Sequence, residues 1–158
     1  MKRLWAPWRS EYIKAPARGG CIFCEALKNK KNEKNLIVKI TAKTVVMLNK
    51  YPYNSAHILI APKRHKAEIE DLSDAELADI FNCLKKTTSS IKKAYKAHGF
   101  NIGFNIGGAA GAGIEDHIHM HVVPRWRGDV NFMPVIADTK VMPEHMENIL
   151  KTLRRSFE

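Results

Sequence analysis

No stretch of this sequence approaches the roughly 20 consecutive apolar residues that cross a bilayer. Met1-Lys2-Arg3-Leu4-Trp5-Ala6-Pro7-Trp8 also lacks the apolar core of a signal peptide. A cytoplasmic protein with no membrane partner is the expectation. No Gly-Lys-Ser/Thr follows the glycine-rich residues 107–113, which excludes a Walker A loop. A strand pattern rather than a helix comes next, so the dinucleotide fingerprint fails too. Acidic residues are the minority, 16 against 26 Lys plus Arg, for a net charge of +10. That excess suits an anionic partner such as a nucleotide, polyphosphate or nucleic acid. Much of it lies in runs such as Lys28-Asn29-Lys30-Lys31 and Lys92-Lys93, which equally well form a solvated face. Outside the N-terminal arm no basic stripe is interleaved with aromatics, which argues against a nonenzymatic nucleic-acid-binding module. Neither an internal repeat nor a domain linker interrupts the chain. One domain over residues 1–158 is expected, since that length can bury a core.

Cysteine is scarce as well, with three in the chain. Cys83 falls within a helical pattern and reads as a small core residue. Cys21-Ile22-Phe23-Cys24 is different, because such a pair in a reducing compartment points to metal or redox chemistry rather than a structural disulfide. It follows the turn-rich Pro16-Ala17-Arg18-Gly19-Gly20, which favours a zinc knuckle over a thioredoxin-like site. Two further ligands must then come from elsewhere, since closed zinc sites take four.

What the chain has in an unusual pattern is histidine. His117-Ile118-His119-Met120-His121-Val122-Val123-Pro124 places three imidazoles at alternate positions. Alternate strand residues share a face, so the rings would stand roughly 7 Å apart on one surface, with Ile118, Met120 and Val122 turned toward a core. Buried imidazoles are costly unless they hold metal, protons or phosphate. Such a row serves as metal ligands with an open position, as in zinc hydrolases, or as a nucleophile flanked by groups that bind a phosphoryl oxygen.

Around this row the sequence predicts strands over Leu36–Ile40, Thr44–Leu48, Ala56–Ala61 and Phe100–Ile106. Ser73-Asp74-Ala75-Glu76 is a capping box opening a helix with apolar residues at 77, 80, 81, 84, 91 and 95, and Gly99 is its expected stop. Met142 to Phe157 reads as a terminal helix with Pro143 in its first turn. Residues 1–20 form an aromatic, proline-broken arm. The seven small residues Gly107-Gly108-Ala109-Ala110-Gly111-Ala112-Gly113 read as a loop whose backbone N–H groups approach a phosphate. Asn105, at the end of the strand before it, is a candidate phosphate neighbour.

Taken together, the histidine row, the upstream Cys-x-x-Cys pair and the intervening strand bearing His57 resemble the histidine-triad family of nucleotidyl hydrolases and transferases, over roughly residues 21–127. Leu4-Trp5-Ala6-Pro7-Trp8-Arg9 and Arg125-Trp126-Arg127-Gly128-Asp129-Val130-Asn131-Phe132-Met133 look like a bacterial branch related to diadenosine tetraphosphate phosphorylases. The resemblance implies an α+β fold, with an antiparallel sheet of about five strands, helices packed on one side, and a homodimer. It implies a structural zinc held by Cys21, Cys24, His65 and His117. The middle histidine, His119, corresponds to the nucleophile that attacks an adenosine nucleotide's α-phosphorus and carries a nucleotidyl intermediate. His121 and His57 correspond to histidines that hydrogen-bond the phosphate or protonate the leaving group, and Asn49 to a ribose contact. The chain departs from the pattern at Gly111-Ala112-Gly113-Ile114, where many relatives carry Ala-Gly-Gln and a hydroxyl residue. Either backbone N–H groups of Gly111 and Gly113 then bind the phosphate, or the second substrate differs. Diadenosine polyphosphate phosphorolysis is the leading expectation. Its rivals are hydrolysis of dinucleoside polyphosphates or adenosine phosphoramidates, and a hydrolase whose triad holds the metal.

Overall fold

The structure, a computed structural model, describes residues 20–29, 35–129 and 142–157. The N-terminal arm up to residue 19 and the tail from Val130 to Met133 lie outside the described residues. Five strands form one antiparallel sheet: β1 (Ile37–Ile40), β2 (Thr44–Leu48), β3 (Ile58–Pro62), β4 (Gly99–Phe104) and β5 (Met120–Arg125), in the spatial order β1-β2-β3-β5-β4. Three helices accompany it: α1 (Ile22–Lys28), α2 (Asp74–Tyr95) and α3 (Met146–Ser156). The expected fold class is therefore observed. No helix among the described residues is long and apolar enough to cross a membrane.

Strand parity explains the layers. Val46, Leu48, Ile58, Ile60, Met120 and Val122 turn to one face of the sheet, where Ile80, Cys83 and Ile91 of α2 and Ile149 and Leu153 of α3 close a core. The opposite-parity residues Val45, Met47, Leu59 and Ala61 meet Phe23 and Ala26 of α1. The two longer helices thus share one face, as expected. The short α1, which has no periodic signature of its own, covers part of the other. A seven-residue helix is far below the length that is stable alone, so α1 depends on that docking.

Several boundaries move. β5 begins at Met120, so His117 and His119 precede the ladder although the alternation persists: Ile118 belongs to the helix-side core. The reason is register. β3 pairs with β5 only from Ile58↔Val122 to Ile60↔Met120, after which the Ile118 N–H turns to the Lys66 carbonyl at 2.7 Å. The helix opened by Ser73 ends at Tyr95, not Gly99. Lys96 takes the left-handed conformation (φ 51°) and its N–H bonds to the Lys92 carbonyl, while Gly99 starts β4. The last helix begins at Met146 with His145 as its N-cap, leaving Pro143 outside it.

The capping residue Glu76 has a second use. Its Oε2 accepts from the Ser73 N–H at 2.9 Å, and it also pairs with Arg64 through Nε at 2.7 Å and Nη2 at 2.5 Å. The Arg64 guanidinium holds the Glu76 carboxyl down to about 2, against burial that works the other way. This pair anchors α2 to the turn after β3, next to His65.

Candidate functional site

The first cluster is built from three parts of the chain. Cys21 is the N-cap of α1 and Cys24 lies one turn in, so both sulfurs sit at one end of that helix. His65 follows β3 and His117 leads into β5, and antiparallel pairing of those strands brings the two rings within 5.1 Å. One ligand atom from each of Cys21, Cys24, His65 and His117 lies within 4.8 Å of all the others. The Cys21 Sγ is 3.1 Å from His117 Nδ1, and the Cys24 Sγ is 3.4 Å from His65 Nδ1 and 3.8 Å from His117 Nδ1. Zinc bonds of about 2.0–2.3 Å in a tetrahedron give ligand–ligand edges of roughly 3.3–3.8 Å, so this quartet has the dimensions of a metal site.

Chemistry agrees with dimension. The His117 Nε2–H donates to the Pro62 carbonyl at 2.9 Å; a carbonyl only accepts, so the proton is on Nε2 and the Nδ1 lone pair faces the sulfurs. Burial pushes the Cys21 thiol up and the His117 imidazole down, which leaves neutral donors that a cation would complete by displacing thiol protons. Cys-x-x-Cys does open a helix, as a redox pair would, but two histidines complete its surroundings. These four residues could hold a metal.

The second cluster is joined to the first by a residue that sequence reasoning passed over. Phe23, between the two cysteines, is fully buried, with its ring 4.9 Å from His117 and 5.3 Å from His119. An aromatic inside Cys-x-x-Cys was the available signal. The His119 Nδ1–H donates to the His117 carbonyl at 2.8 Å, so its Nε2 carries the lone pair. Burial lowers the His119 imidazole below its ordinary value and takes His121 to about 4, with the neighbouring His119 a secondary cause. Both are therefore neutral near pH 7.

His57 is buried and its Nε2 lies 3.0 Å from His121 Nδ1. Its Nδ1 accepts from the Tyr53 N–H at 3.1 Å and faces the Asn49 Nδ2 at 3.2 Å. The Tyr53 ring lies nearly parallel to His121, 5.9 Å away and 9° from coplanar. The turn that carries these groups is tied down at Asn54. Its Nδ2 donates to the Pro124 carbonyl at 3.0 Å and to Asp129 at 2.8 Å, while Arg125 grips the same carboxylate with Nε and Nη2. Arg125 keeps the Asp129 carboxyl well below the usual range. Tyr53 and Asn54 were not singled out by pattern, since ordinary turn residues give no periodic signal, and Asp129 entered only within the branch-like run from Arg125, with no role of its own.

Beside His121 the sheet leaves room. Across the ladders its partners are Leu59 on β3 and Gly103 on β4, and a Cβ at Gly103 would meet nothing within 4 Å. Asn105 does not stand free at the end of β4; its Nδ2 donates to the Gly111 carbonyl at 3.3 Å. The glycine-rich stretch forms a short 3-10 turn, Gly108–Ala110, between Gly107 (φ 75°) and Gly111 (φ 81°). Gly113 follows without regular structure. Positive φ at 107 and 111 accounts for glycine there.

Comparisons with known proteins fit this arrangement. The HIT-domain family profile matches residues 29–128, a span that includes all three histidines of the row and excludes Cys21 and Cys24. The chain is 36% identical to the AP-4-A phosphorylase of Mycobacterium tuberculosis, over 97% of this chain and 83% of that protein. It is 34% identical to an adenosine 5'-monophosphoramidase of Candida albicans, over 69% of this chain and 72% of that one. Among solved structures, a hypothetical histidine triad nucleotide-binding protein from Sulfolobus tokodaii superposes with a TM-score of 0.70 at 29% identity, covering 87% of this chain and 91% of that one. The chain belongs to the HIT-domain family and is an enzyme of that type.

Proposed function

We propose that the protein is a nucleotidyl-transferring enzyme that cleaves at the α-phosphate of an adenosine nucleotide, with diadenosine polyphosphates as substrates and inorganic phosphate as acceptor. The observation that carries this reading is the tautomer of His119, whose Nδ1–H is held by the His117 carbonyl so that Nε2 is an available nucleophile. In the first step Nε2 forms a bond to the α-phosphorus and the bond to the bridging oxygen breaks, its electron pair leaving on the departing polyphosphate. The imidazolium character that develops on His119 is stabilised through the Nδ1–H bond it already makes. His121 and His57 stand beside the phosphoryl oxygens; the Gly111 N–H, expected to bind phosphate, instead donates to the Gly108 carbonyl at 2.9 Å, which leaves Gly113 to offer a backbone N–H group in place of the absent amide and hydroxyl side chains. In the second step phosphate attacks the same phosphorus, displaces Nε2 and yields a nucleoside diphosphate.

Cys21, Cys24, His65 and His117 hold zinc in this reading. Four ligands leave no open coordination position, so the metal is structural and ties α1 to the approach of β5. It supplies no step of the reaction; its role is to fix His117, whose carbonyl orients His119. The enzyme acts as a homodimer, a reading supported by β4, which is an edge strand with Ile102 46% exposed.

Incubation with diadenosine tetraphosphate, with and without inorganic phosphate, tests the assignment. ADP and ATP formed only with phosphate present is the expected result. AMP formed without phosphate would make the enzyme a hydrolase. The likeness to a phosphoramidase keeps one second reading, hydrolysis of adenosine phosphoramidates.

A further inference from the structure

The hydrogen bonds behind His121 run in one direction. The Tyr51 N–H donates to Asn49 Oδ1 at 3.0 Å, which turns the Asn49 Nδ2 toward His57 Nδ1 at 3.2 Å. The Tyr53 N–H also points at that nitrogen, from 3.1 Å. Two donors aimed at Nδ1 require a lone pair there, so the His57 proton is on Nε2. Nε2–H then donates to His121 Nδ1 at 3.0 Å, which must accept. His121 is left with its one proton on Nε2. The groups facing it are His57, His119 and the Tyr53 ring, with no carboxylate among the contacts described.

We propose that Asn49 is a positioning residue: with the Tyr53 amide it holds His57 as a donor to His121, so that His121 offers the leaving group a hydrogen bond but no transferable proton, which selects phosphoanhydrides over phosphoramidates. This rests on the nucleotidyl-transfer reading above. When a phosphoanhydride is cleaved, the bridging oxygen departs with the electron pair of the broken bond on a phosphate that is stable as an anion, and no proton has to cross. When a phosphoramidate is cleaved, the departing nitrogen needs a proton. A neutral His121 can supply it only by becoming an imidazolate, unless His57 refills Nδ1 at the same moment. His57 cannot do so while the Asn49 amide and the Tyr53 N–H face its Nδ1 as donors that hold no proton to give. Burial, which takes His121 to about 4, works in the same direction.

Asn49→Asp is the informative change. The carboxylate keeps the acceptor for the Tyr51 N–H and replaces the donor at His57 Nδ1 with an acceptor. A proton then resides on Nδ1, and the His57 imidazolium can pass its Nε2 proton to His121 as His121 gives its own to the leaving nitrogen. In phosphate buffer at pH 7, wild type should favour diadenosine tetraphosphate over adenosine 5'-phosphoramidate by a hundredfold or more in kcat/KM. Asn49→Asp should narrow that preference at least tenfold through kcat, with a new alkaline limb in its phosphoramidate pH profile, since the rate falls as the His57 imidazolium loses its proton. Long-range proton–nitrogen NMR of the wild-type protein should show both His57 and His121 as neutral Nε2–H tautomers. Comparable wild-type turnover of the two substrates, a protonated His57 Nδ1 at pH 7, or an unchanged preference in Asn49→Asp would overturn the proposal. Failure of wild type to turn over either substrate would overturn the nucleotidyl-transfer reading instead, and the NMR tautomers would still decide the dyad.

Discussion

Phe23→Ala tests whether packing, as well as metal, couples the Cys-x-x-Cys helix to the histidines. Phe23 is fully buried against Val45, Met47, Leu59 and Ala61, and its ring touches both His117 and His119. Truncating a buried phenylalanine removes about 3–5 kcal/mol through lost transfer energy and the cavity left behind. For a chain of this size that corresponds to a fall in Tm of about 6–20 °C. The loss should be local first. α1 has seven residues and no independent stability, whereas the core on the far side of the sheet makes no use of it. Hydrogen exchange should therefore show α1 amides exposed in the variant while β2, β3 and α2 stay protected. Metal analysis after dialysis should show weaker zinc retention, because the two thiolates are no longer held beside His65 and His117. Turnover should fall too, since His119 loses the ring that supports it. A Tm change below about 2 °C with α1 protection unchanged would refute the reasoning, because an unimportant Phe23 cannot be the link between the two clusters.

His119→Asn should lower kcat by about four orders of magnitude or more with nucleotide binding largely kept, and labelled nucleotide should be trapped on His119 in the wild type; a label elsewhere would remove the nucleophile assignment. His117→Asn should instead release metal and lower thermal stability, measured by metal content and calorimetry. The Glu76 carboxyl is depressed from 4.5 to about 2, so its contribution is intact above pH 4.5 and is lost as pH falls toward 2. Glu76→Gln should flatten that part of the stability profile in acid denaturation. Ile102→Lys on edge strand β4 should convert a dimer to monomer in light scattering, and an unchanged mass would place the interface elsewhere.

Local patterns in the chain were enough for the strands and for the existence of a site, while their assembly into one antiparallel sheet came from the family resemblance. Thr44–Leu48 is a strand as read, and Ser73 opens a helix where Glu76 reaches back. The alternation of histidines with Ile118, Met120 and Val122 puts the apolar residues in the core. These features rest on spacings of two to four residues, and such spacings are visible in sequence. The metal quartet was named through family likeness, because its members are up to 96 residues apart: the β3–β5 pairing brings His65 to His117, and the docking of α1 on the sheet brings the cysteines to both. Tertiary structure alone decided the rest. Which nitrogen of His117, His57 and His121 carries a proton depends on a carbonyl, amide or ring brought from another strand or turn, whereas for His119 it depends on the His117 carbonyl two residues back. Phe23 and Gly103 matter through what lies across from them, and Asn54 and Asp129 through a contact over 75 residues. Sequence carries the chemistry of each donor and acceptor. Apart from the local bond of His119 to the His117 carbonyl, the direction of the hydrogen bonds between them is a property of the folded register, and at this site direction separates a nucleophile from a ligand.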